Sequence, residues 1–192
     1  MFYDDSDIKI FGKSQVDDKN EAALLLEQVN RQRANGNTEK AKKLGIRLAE
    51  IFLNEKEIDE HIASAVGKVP ATDEAKKQVR ILIVFSAQWC LSHQLPAALL
   101  SNTAVNSFYD RISSENRKLY NDLSDGPEFS FYSLSVRSGE TSAKAAGETF
   151  KKLCDRDDDE SNDNDYVELG ARIYNKTVEE VVAIIDKFNF TE

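Results

Sequence analysis

Cys90 and His93 are the residues whose types and spacing come nearest to a catalytic pair. A thiolate beside an imidazole makes a nucleophile and its base, provided a third group orients the ring. Three residues of separation puts both side chains on one face of a helix. No orienting residue stands out nearby, so the two read as core residues of a helix. Zinc needs four ligands, usually paired at each end of the site. The chain offers only Cys90, Cys154, His61 and His93, without such pairs. The reading is therefore no catalytic, cofactor-binding or metal residue at these positions, and no cofactor. Asp157, Asp159, Ser161, Asp165 and Glu168 form a second constellation. Their oxygens suit a hard cation such as calcium.

Counted from Asp157, those five residues fall at positions 1, 3, 5, 9 and 12, which resembles an EF-hand calcium loop. Asn162 stands at position 6, where the family has Gly, and Asn164 at position 8, where it has a branched apolar residue. The resemblance implies a calcium-responsive helical module using residues 157–168. Against it, no second loop follows. Seven of the eleven residues from Asp155 to Asp165 are acidic, which predicts an extended, solvated loop that binds calcium weakly or not at all.

The stretch "ILIVFSAQWCLSHQLP", residues 81–96, carries a second resemblance. Phe85, Ala87, Trp89, Cys90 and Pro96 are similar to the strand, Trp-Cys turn and helix-bending Pro of the thioredoxin family. That resemblance implies a thiol protein centred on Cys90, with the thiolate favoured at a helix N-terminus. His93 stands where the family has its second Cys, so no internal disulfide forms. The same residues also fit a helix over 73–93. Asp73 or Thr72 caps it, no breaker intervenes before Pro96, and its apolar residues lie all round. Such a helix belongs at the centre of a bundle, with Trp89 in the core and Cys90 an inert thiol whose pKa burial raises.

The elements that must position these residues are helical. The chain has 192 residues with 8 Gly and 3 Pro, few of the residues that tight turns draw on. Leu24, Leu25, Leu26 and Val29 mark one helix, ended at Gly36. Thr38 caps the next, with Ala41, Leu44, Leu48, Ile51 and Phe52 on one face. The turn "GNTEKA" resembles a tetratricopeptide unit, which implies a helical hairpin in residues 18–68. Gly45 and Leu48 stand where that family has a bulky aromatic and an Ala. A helix over 57–66 follows. Residues 72–192 then form a bundle. Its stripes are Val105 to Leu123, a start at Pro127–Glu128, Ala143 to Leu153 with Gly147 admitting a close neighbour, and Leu169 to Phe188. "FSFYSLSV" fits neither period cleanly. The expected fold is all-α, seven to nine helices in a single domain over 1–192.

The net charge of −9 repels phosphate backbones, so nucleic acid is not an expected partner. Lys40, Lys42, Lys43 and Arg47 read as a solvated face. The N-terminus lacks a secretion signal and Ile81–Phe85 is too short to cross a membrane. Two cysteines make no disulfide framework, which points to the cytoplasm. The function expected is a non-enzymatic protein-interaction module that binds a protein partner or itself.

Overall fold

The computed structural model describes residues 15–54, 56, 58–60, 63, 73–138, 142–154 and 163–191. Among them there is no strand. The helices are α1 (Gln15–Ala34), α2 (Asn37–Leu53), α3 (Asp73–Gln94), α4 (Ala98–Glu115), α5 (Arg117–Asp125), α6 (Glu128–Ser138), α7 (Ser142–Cys154) and α8 (Asp163–Lys187). Ile58, Asp59, Glu60 and Ala63 are also helical, inside the expected third helix, whose other residues lie outside the described ones. The chain divides into two compact units, residues 1–36 and 37–192.

In the first unit, α1 ends at a turn where Gly36 takes φ +77°, a left-handed conformation that a side chain would disfavour. Gly36 donates its N–H to the Arg33 carbonyl at 3.1 Å. Leu24, Leu25 and Leu26 on α1 are 61%, 57% and 61% exposed. Helices α1 and α2 are both formed, but they fall in different units.

The second unit is built round α3. Val79, Ile81, Leu82, Ile83, Val84, Phe85, Ala87, Cys90 and Leu91 are all buried, on every side of the helix. Full burial of one such side chain stabilises by about 1.5–3 kcal/mol. This is why α3 touches α2, α4, α6, α7 and α8. Ser86 is buried among these residues and donates to the Leu82 carbonyl at 2.7 Å, so its hydroxyl is satisfied within the helix.

Two close crossings fix the outer helices. A Cβ at Gly45 of α2 would fall on the Ala104 carbonyl oxygen and 3.0 Å from the Phe108 amide nitrogen, both in α4. A bulky aromatic, the tetratricopeptide residue at this place, has no room. A Cβ at Gly147 of α7 would meet the Val167 carbonyl of α8, and one at Gly170 of α8 would lie 3.0 Å from the Gly147 Cα. Arg111 of α4 ties the first crossing at its edge, 3.3 Å from Glu50 of α2 and 2.7 Å from Glu115.

The expected cap at Thr38 is not made. Its hydroxyl oxygen is buried without a hydrogen bond among the described residues. Asn37, fully buried, stands at the start of α2 instead and reaches across the unit. Its Nδ2 donates to the Thr191 carbonyl at 2.5 Å, and its Oδ1 accepts from the Thr191 N–H at 3.2 Å. Lys40 donates to the Asn189 carbonyl at 2.7 Å. Asn116, between α4 and α5, does cap: its side chain accepts from the Leu119 N–H at 3.0 Å.

Candidate functional site

Residues 80–94 are one run of α3, so the strand and Trp-Cys turn of the thioredoxin resemblance are not formed. An apolar run with no breaker before Pro96 gains more by being surrounded than by ending in a turn. Cys90 is 2% exposed in the helix interior, far from the N-terminal dipole that lowers a thiol pKa. Burial pushes it up to about 11. The same burial raises Tyr174, with Cys90 adding to the rise and Ser142 opposing it by a hydrogen bond.

His93 turns outward and does not join Cys90. Its ring stacks on Trp89 with centroids 4.1 Å apart, and Nδ1 lies 2.7 Å from the Trp89 carbonyl. Trp89 itself is half-buried rather than in the core, a correction to the sequence expectation. It packs on the core from outside, its ring 6.0 Å from Phe85. The core position beside Phe85 belongs to Tyr132 of α6, stacked at 5.3 Å and fully buried. The Tyr132 hydroxyl has no hydrogen-bond partner among the described residues. Burial raises its pKa well above the usual tyrosine value, with Cys154 and Glu128 adding to the effect.

Of the calcium-loop residues, Asp157, Asp159 and Ser161 lie outside the described residues, as does His61 of the zinc set. Asp165 and Glu168 stand on α8, both exposed, and Glu168 is paired with Arg172 one turn on. Among the described residues, no three His, Cys, Asp or Glu side chains gather as a metal site. Cys90 and Cys154 are not joined in a disulfide.

Two surfaces were not apparent from residue types alone. The first is a cleft of about 550 Å³ between the start of α3 and α5. Ile58 and Leu119 line it with Lys76, Lys77, Arg80 and Lys118 among Asp59, Glu74 and Asp122. Opposed charges alternate there, and Lys77 pairs with Glu128 at 3.4 Å, so the lining selects neither an anion nor a cation. The second is a pair of exposed apolar side chains in the second unit, Phe131 and Leu134 of α6; in the first unit, Leu24, Leu25 and Leu26 of α1 stand open. No described helix is long and apolar enough to cross a membrane. No family model, curated protein or solved structure matches this chain.

Proposed function

We propose that this chain is a non-enzymatic helical protein-interaction module of the cytoplasm. The supporting observation is the leucine triplet of α1, each member more than half exposed. Large exposed apolar side chains are candidate contact points, because water is a poor neighbour for them. The candidate nucleophile points the same way. Cys90 is buried, protonated at neutral pH and not joined to His93. The acidic balance of −9 favours a protein partner over a phosphate backbone.

Capture from native lysate with the wild-type chain and with Leu24→Ser/Leu25→Ser/Leu26→Ser tests the proposal. A set of proteins held by the wild type and lost by the variant is expected. Identical sets would overturn the proposal.

A further inference from the structure

We infer that the start of α2 is a peptide-recognition seat, filled here by the chain's own residues 188–191. In their place it accepts an extended peptide that carries acidic residues directly ahead of two aromatic residues spaced two apart. The inference concerns the second unit and does not rest on the leucine triplet of α1.

The seat reads backbone. Asn37 is fully buried, and its carboxamide meets both backbone groups of residue 191: Nδ2 donates to the carbonyl and Oδ1 accepts from the N–H. Lys40, one turn on, donates to the carbonyl of residue 189. None of these three bonds depends on which side chain residue 189 or 191 carries. In peptide recognition, main-chain bonds supply affinity and side chains at alternate positions supply specificity. Phe188 and Phe190 are those side chains here. Their ring centroids are 6.4 Å apart, and both are half-buried against the core. Asn189 turns the chain out of α8 with φ +46°, a left-handed conformation that asparagine adopts more readily than most residues with a side chain.

Charge chooses the competitor. Residue 189 lies at Lys40 and residue 191 at Asn37, so the segment runs opposite to α2. A peptide extended in the same direction carries the residues ahead of its aromatic pair towards Lys43 and Arg47, which are exposed and follow Lys40 on the same face. Acidic residues there are attracted. Glu39 and Glu50 temper this; Arg47 already lies 4.0 Å from Glu50, so Lys43 carries most of the attraction. The chain's own residues ahead of Phe188 are Asp186 and Lys187, whose charges cancel, so a peptide acidic at both places competes with advantage. A short segment held by a few hydrogen bonds opens at low cost, and the competitor enters while it is open.

Fluorescence anisotropy tests this, with a labelled peptide of residues 186–192 carrying Lys187→Glu, titrated with the full chain. In Phe190→Ala/Thr191→Pro the resident segment loses one aromatic anchor and the N–H that Asn37 accepts, so the seat stands open more of the time. This variant is expected to bind the peptide at least roughly tenfold more tightly than the wild type does. A seat open for about a tenth of the time or less weakens apparent affinity in that proportion. In the variant background, Lys40→Ala should weaken binding, and Lys43→Glu should weaken it most at low salt. The peptide with its own Lys187 should bind less tightly, and one with Ala at both Phe positions should not bind. Circular dichroism checks that each chain is folded, and Thr191→Pro alone, a change at an exposed residue, takes the place of the double variant if that unfolds. No binding up to roughly 1 mM, equal affinity for wild type and variant, or equal affinity for the alanine peptide overturns the inference. Lysate capture by the leucine variant of α1 is independent of these results, so the two proposals stand or fall separately.

Discussion

Replacing Gly45 with Ala tests the α2–α4 crossing directly. In a helix interior, Gly→Ala stabilises by about 1 kcal/mol through backbone entropy alone. At this crossing the added carbon lands on the Ala104 carbonyl oxygen. That oxygen is held in the hydrogen-bond ladder of α4 and cannot swing aside as a side-chain tip would. The helices must separate, and overpacking of this kind costs about 1–3 kcal/mol. With backbone as the obstacle, the upper end applies, leaving a net loss of about 2 kcal/mol. For a unit of this size that lowers Tm by about 4–8 °C. Urea denaturation followed by circular dichroism is the assay, with the midpoint lowered and the slope unchanged. A Gly45→Ala protein more stable than wild type by about 1 kcal/mol would refute the reasoning, because propensity alone would then decide the outcome.

Cys90 should resist alkylation in the native protein at pH 7 and label rapidly once unfolded; fast native labelling would place it near a charge or solvent. Its raised pKa also sets a pH dependence. The folded state holds the proton longer than the unfolded state, so this contribution is fully present below pH 9.0 and is lost as pH rises towards about 11. Chemical denaturation across that window should show stability falling by up to about 1.4 kcal/mol per pH unit from this group, and a flat profile would contradict it. Tyr132→Phe removes a buried hydroxyl that has no hydrogen-bond partner among the described residues. It should be neutral or stabilise by about 1–2 kcal/mol in the same assay, and a clear loss would reveal a hydrogen bond.

The centre of the fold was legible because its signal is local and strong. Helix α3 begins at Asp73, stops before Pro96 and is apolar all round, and each of those facts is in the sequence. The stripe of α8 from Leu169 to Phe188 was equally plain, and Gly147 announced its close crossing. The break at Asn116 was not legible, because apolar spacing runs on from Ile112 to Leu119 and only the side-chain cap marks the new helix. Trp89 misled through its type. A helix gives its neighbours different faces, and Tyr132, arriving from α6, took the inner place. The leucines of α1 show the converse limit, since periodicity says that a face is apolar but not what lies against it. The cleft near Ile58 and the Asn37–Thr191 contact depend on elements brought together only by tertiary structure.

The Asn37–Thr191 contact also bears on the order of folding. The two residues are 154 positions apart. Closing a loop of that length in an unfolded chain costs about 4.5 kcal/mol beyond a constant, by the logarithmic scaling of closure entropy. A neutral hydrogen bond contributes about 0.5–1.5 kcal/mol net, so these bonds cannot drive the encounter. They form only after α2 and α8 have already been gathered by the helices between them. A contact made that late is expected to slow unfolding more than it speeds folding, and Asn37→Ala should then raise the unfolding rate and leave the folding rate nearly unchanged. On the ribosome, α2 to α7 emerge before the segment that fastens them exists, and the buried Asn37 waits for a partner that is made 154 residues later.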